Sequence, residues 1–180
     1  MNFMNDVAPV MLYELPRAER ADLALENIKE IDNFLDFEQC LIKEEAYAAC
    51  GPFWEELPVI LEEAQGATVL LAVVTTRKKE LSLTWRWVDT GGRQKKNSSG
   101  QSCFPPLQPL VFQYPNAYFS LLKEPFREQA LNVEAVFALL RKRHHELTTL
   151  RRALSNYTVS VQRDYRKVAY KKLPTVSNDL

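Results

Sequence analysis

From Leu15-Pro16 onward, Ala24, Ile28, Ile31, Leu35, Ile42 and Ala49 recur at intervals of three, four or seven residues, the spacing of one helix face. This predicts a long helix that ends near Cys50-Gly51-Pro52, where glycine offers a left-handed cap and proline cannot continue the backbone ladder. A shorter helix, interrupted by Pro58, is expected to follow as far as Gly66, with Phe53, Trp54, Leu57, Ile60 and Leu61 as its core stripe. The period then drops to two. Thr68–Thr76 (TVLLAVVTT) and Leu81–Val88 (LSLTWRWV) read as a hairpin around the charged turn Arg77-Lys78-Lys79-Glu80. In the second strand Leu81, Leu83, Trp85 and Trp87 alternate with Ser82, Thr84 and Arg86, so one sheet face is apolar and the other polar.

Residues 89–102 (DTGGRQKKNSSGQS) have the composition of an exposed, mobile loop. Residues 107–114 (LQPLVFQY) are a candidate third strand, which Pro109 confines to an edge or to the part after the proline. Helical spacing returns after Tyr114-Pro115, with Asn116 as the expected N-cap of a short helix 117–123 and Pro125 as a first-turn residue of the next. From Phe126 to Val168 a 4-3-4-3 seam runs through Phe137, Leu140, His144, Leu147, Arg151, Leu154 and Thr158, predicting a helix of about 40 to 45 residues and about 60 to 65 Å. The seam turns polar at His144, Arg151 and Thr158, as expected of register control, local exposure or a partner meeting the helix there. The fold class is therefore α+β: a long antiparallel helical pair with a small antiparallel β-hairpin or three-stranded sheet between the helices. The expected organisation is one domain over residues 1–173, with 174–180 as a flexible tail.

Charge sharpens this picture. The whole chain is neutral, with 23 Lys+Arg and 23 Asp+Glu, but residues 1–66 carry 15 acidic and 4 basic side chains, and residues 67–180 carry 8 and 19. A basic half attracts a polyanion or an acidic partner, or the two halves neutralise each other within one fold. No apolar run approaches the ~20 residues that span a bilayer. Cys40, Cys50 and Cys103 are widely spaced, and no basic-then-apolar leader precedes the helix, so free thiols and a cytoplasmic location are expected, with no membrane partner.

Catalytic and cofactor chemistry find little footing. Neither a GxxxxGK[ST] nor a GxGxxG run is present. Two adjacent histidines, His144 and His145, and three cysteines without CxxC or HxxxH spacing offer too few ligands for zinc. The carboxylate doublets Glu44-Glu45, Glu55-Glu56 and Glu62-Glu63 read as solvated helix faces. The expectation is a protein that is not an enzyme and holds no cofactor or metal. Cations, by contrast, cluster. Arg77, Lys78 and Lys79 lie at the hairpin tip, Arg86 on a strand, Arg93, Lys95 and Lys96 in the following loop, and Arg141, Arg143, Arg151 and Arg152 on the last helix. Such arrays suit phosphate, because neutralising a nucleic-acid backbone releases condensed counterions. These eleven residues are the candidate nucleic-acid contacts, and a solvated helix face paired with the acidic helix is the alternative reading of those on the last helix.

The run Glu134-Ala-Val-Phe137-Ala138-Leu-Leu-Arg141, followed by Leu147-Thr-Thr-Leu150-Arg151-Arg152-Ala-Leu154, resembles the MobI-type accessory proteins of conjugative plasmids and integrative elements, whose C-terminal part carries E-x-x-F-A-x-[IL]-R before a leucine/arginine helix. The resemblance covers roughly residues 20–157, and Pro125-Phe126 stands where the family has Trp-Glu. It implies an auxiliary, non-cutting role at the origin of transfer, with DNA and a relaxase or other protein as partners. A competing class is a protein-binding inhibitor or adaptor, such as an anti-defence protein, that presents the acidic helix of residues 14–63 as a DNA mimic. A helical assembly protein, with a homodimer formed along the seam, is a third.

Overall fold

The computed structural model describes residues 16–63, 69–77, 80–88, 99 and 107–170. Along the chain come α1 (Arg17–Glu63), β1 (Val69–Arg77), β2 (Glu80–Val88), a 3-10 turn (Asn116–Leu121) and α2 (Phe126–Tyr170). The fold is α+β, a long antiparallel helical pair with a small antiparallel sheet. The expected leader, the loop 89–98 and the tail 171–180 lie outside the described residues. The chain divides into two compact units. A mixed unit comprises Phe37–Leu147, and a helical unit comprises Met1–Asp36 with Thr148–Leu180.

α1 does not stop at Cys50-Gly51-Pro52. It continues through Pro52 and Pro58 as one helix of 47 residues. An interior proline costs about 3 kcal/mol or more by removing a ladder bond and crowding the preceding turn. Here Ala46, Cys50, Phe53 and Ile60 lie on one buried face on both sides of Pro52. Burying side chains of that size returns about 1.5–3 kcal/mol each for the larger ones, which outweighs the local cost. Ile31, expected in the buried stripe of α1, is instead half exposed, while Ile28, Leu35 and Ile42 are buried.

β1 and β2 pair antiparallel from Val69↔Val88 to Arg77↔Glu80, so the ladder reaches further into the expected turn and only Lys78 and Lys79 connect its end residues. Leu81, Leu83, Trp85 and Trp87 are buried, and Ser82 and Arg86 are exposed, as the alternation requires. Among the described residues the sheet has two strands, not three. Residues 107–114 instead reverse direction, with Leu110 N–H donating to Gln113 O at 2.7 Å and Gln113 N–H to Leu110 O at 3.1 Å. Val111 at the corner adopts φ 57°, an uncommon state for a β-branched residue.

Asn116 caps nothing. It is the first residue of the 3-10 turn, Pro115 holds the cap position, and no side chain bonds there. Pro125 sits just outside α2, joined to Glu124 by a cis peptide, and its carbonyl accepts from Gln129 N–H at 3.2 Å. The α2 seam is buried at Phe126, Ala130, Val133, Phe137, Leu140 and Leu147 in the mixed unit. In the helical unit it is half exposed at Arg151, Leu154, Thr158 and Val161. Trp85 is the hub of the mixed unit's core. Its indole packs edge-on to Phe53 of α1 at 5.6 Å between centroids and to Phe119 of the 3-10 turn at 5.0 Å, and tilts against Phe137 of α2 at 6.1 Å. Trp54 Nε1 donates to Ala72 O at 3.0 Å, tying α1 to β1.

Candidate functional site

α2 carries a carboxylate into this core. Glu134 follows the seam residue Val133, and its side chain is 1% exposed. An ionised group there needs several partners to offset its lost hydration. Four donors converge on it. Trp85 Nε1 reaches Oε2 at 2.7 Å and the Tyr114 backbone N–H reaches Oε1 at 2.7 Å. Arg141, seven residues on and therefore on the same helix face, adds a two-pronged pair, Nη1 to Oε1 at 2.9 Å and Nη2 to Oε2 at 3.0 Å. The guanidinium has further partners. Its Nε donates to Leu83 O at 2.8 Å and its Nη1 to Phe112 O at 2.5 Å, and its plane lies 4.7 Å from the centre of the Tyr114 ring.

The pair thus links α2, β2 and the 107–114 reversal. It also explains why a third strand is absent, since Phe112 C=O and Tyr114 N–H are taken by side chains and Pro109 has no N–H to donate. Burial raises the Tyr114 phenol above its ordinary value, and the adjacent Arg141 charge partly opposes this.

The nucleic-acid candidates separate into distinct settings. Arg141 was expected at the surface for its charge. Its side chain is only 11% exposed, and four of the five guanidinium N–H groups donate into the core network. Arg143 lies against α1, donating to both oxygens of Glu45 at 2.9 and 2.7 Å, with Glu38 at 3.5 Å; these carboxylates hold its pKa above the usual arginine value. Arg151 pairs with Asp36. These contacts are the mutual neutralisation of the acidic and basic helices that the charge pattern left open. Arg152 and Arg86 are exposed. Arg77 closes the strand ladder opposite Glu80, and Lys78, Lys79, Arg93, Lys95 and Lys96 lie outside the described residues.

Of the remaining chemistry-bearing groups, Cys50 is a buried free thiol whose pKa burial pushes from 9.0 to about 12, and Cys40 is free and exposed. Cys103 lies outside the described residues. The His145 ring lies tilted beside that of Phe112, with centroids 5.5 Å apart. Among the described residues, no group of three or more His, Cys, Asp or Glu side chains is arranged to hold a metal, and no helix is long and apolar enough to cross a membrane.

Glu134 escaped the sequence reading as a site residue, although a signal was present. It is the single charge in Ala130–Leu140 (ALNVEAVFALL), and the next charge, Arg141, stands two helical turns away on the same face. The motif positions Glu134, Phe137 and Arg141 all contact the Trp85 or Tyr114 rings or their backbone. No family model, curated protein or solved structure matches this chain.

Proposed function

We propose that this chain is a non-catalytic, cytoplasmic DNA-binding accessory protein of a mobile genetic element that assists conjugative DNA processing at an origin of transfer, alongside a relaxase or another protein partner. The observation that supports DNA binding is the polarity of the hairpin. Trp85 and Trp87 are committed to the core, and Arg86 between them points outward on the opposite sheet face. Lys78 and Lys79 immediately precede β2, while Arg93, Lys95 and Lys96 follow it in sequence. Nine strand residues span about 30 Å, close to one turn of duplex, and the sequence sets cations both before and after this strand.

On α2 the proposed contact is Arg152, since Arg141, Arg143 and Arg151 are engaged within the fold. The acidic helix competes less well as the working face, because Glu38, Glu45 and Asp36 are turned onto arginines of the same chain. The mobile-element assignment rests on the resemblance of the Glu134–Arg141 run.

The test is fluorescence anisotropy of the full chain with a labelled random duplex of about 30 base pairs and with single-stranded DNA, at several salt concentrations. The expected result is an affinity that falls log-linearly with salt, and a loss of about tenfold or more when Lys78, Lys79, Lys95 and Lys96 are all changed to Glu. Absence of binding to either probe at low salt, or full retention in that variant, would overturn the reading and move attention to a protein partner.

A further inference from the structure

The helical unit is one layer short of a core. Its described elements are the first turns of α1 and the residues from Thr148 onward in α2, and among them only Ile28 and Leu35 are buried. Large apolar side chains remain in solvent, with Phe34 62%, Leu150 57% and Tyr157 55% exposed, together with half-exposed Ile31. Their placement is ordered. At about 100° per residue, Ile31 and Phe34 lie on one flank of the Ile28–Leu35 line, and Leu150 and Tyr157 lie on one flank of the Leu154–Val161 line. Because the two segments run antiparallel, both flanks fall on the same side of the pair. Asp36 and Arg151, which pair with each other, lie on the flanks facing the other side. The unit is therefore a two-helix layer whose largest exposed apolar side chains gather on one face, with Val159 apart from them on the outer edge of α2 beside Arg152, and a layer of this kind is completed by a second one.

We infer that the second layer is the same unit of a second copy, giving a two-fold symmetric four-helix bundle. Charge complementarity selects this occupant. The outer edge of α1 carries exposed Glu26 and Glu30, and the outer edge of α2 carries exposed Arg152 and Arg163. A copy turned over by a two-fold axis sets α1 of one protomer on α2 of its partner, so acidic edge meets basic edge in both halves of the interface. Stacking like helix on like would oppose the same charges. The area is adequate but small. Helix segments of about 25 to 30 Å in a layer about 20 Å wide cover roughly 600 Å² per protomer, or about 1,200 Å² in total, at the lower end of stable interfaces. A concentration-dependent dimer is the consequence, and it does not depend on the DNA reading.

The experiment is sedimentation equilibrium on the full chain from about 1 to about 200 µM. The expected result is a shift from 20.8 kDa toward twice that mass over this range. The L150S/Y157S variant is expected to remain monomeric while circular dichroism retains the helical signal. Arg163→Glu, an exposed substitution outside the proposed DNA contacts, is expected to weaken association about tenfold or more, and Glu26→Arg in the same chain to restore much of it. A wild-type chain that stays monomeric at the highest concentration, or a dimer unmoved by either variant, would overturn the inference.

Discussion

At the scale of single residues, the Glu134–Arg141 pair has the largest energetic consequence. A buried ion pair gains little over a well-packed apolar pair, because desolvation offsets most of the attraction, but removing one partner strands the other charge in the core. Glu134→Ala and Arg141→Ala are each expected to lower stability by about 3 to 5 kcal/mol in urea denaturation. The double variant is expected to lose clearly less than the sum of the two, because neither charge is then left alone. Full additivity would mean that the two residues act through separate contacts. Val111 is a smaller case of the same kind, since its left-handed backbone is held between Leu110 and Gln113, beside a carbonyl that Arg141 clamps.

At the scale of elements, the instructive one is α1. Gly51 and Pro52 carry the residue chemistry of a helix end, yet they lie in the interior of a 47-residue helix. Gly51 stays helical because the neighbouring Cys50 and Phe53 are locked into the core. A Cβ added there meets nothing within 4 Å beyond the adjoining residues, but it would abut the Pro52 ring, which disfavours helical backbone in the residue before it. Gly51→Ala is therefore expected to gain less than the about 0.5 to 1 kcal/mol of an ordinary helix-interior change, read in the thermal midpoint, since the lower freedom of the unfolded chain is offset by the crowding of the new Cβ against Pro52. A destabilised variant would show that α1 needs glycine's flexibility beside Pro52. The hairpin is closer to its local pattern, since Leu81, Leu83, Trp85 and Trp87 are inward and Ser82 and Arg86 outward, while Thr84, expected on the polar face, is half-buried.

At the scale of the whole molecule, stability carries a pH dependence that follows from burial. The Cys50 thiol keeps its proton to about pH 12 in the folded chain but loses it near 9 when exposed by unfolding. The unfolded state then binds fewer protons, so stability is complete below about pH 9 and declines as pH rises above it, by up to about 1.4 kcal/mol per pH unit for this group. Tyr114, also raised by burial, adds to the decline from about pH 10. Urea midpoints at about pH 8 and about pH 10.5 are expected to show this fall, and Cys50→Ala is expected to reduce it. An identical fall in that variant would assign the effect to other groups. Near neutral pH the opposite charges of the two chain halves are engaged in pairs such as Arg143 with Glu45 and Arg151 with Asp36, partly exposed contacts that each contribute about 0 to 1 kcal/mol.

By itself the sequence determined the α+β class, the antiparallel helical pair, the hairpin with Trp85 and Trp87 inward and Arg86 outward, and the extent of α2. These follow from periodicity, which depends only on which face of an element must leave water. The tertiary structure alone decided that α1 runs through two prolines, that residues 107–114 turn back rather than extend, and which arginines are free to meet a ligand. Each of those outcomes depends on partners distant in sequence. Phe53 and Cys50 find a core that outweighs a proline, Arg141 and Glu134 find the backbone groups a third strand would have used, and Arg143 and Arg151 find carboxylates on the other helix. An arginine's charge is written in the sequence, but its exposure is a property of what the fold brings beside it.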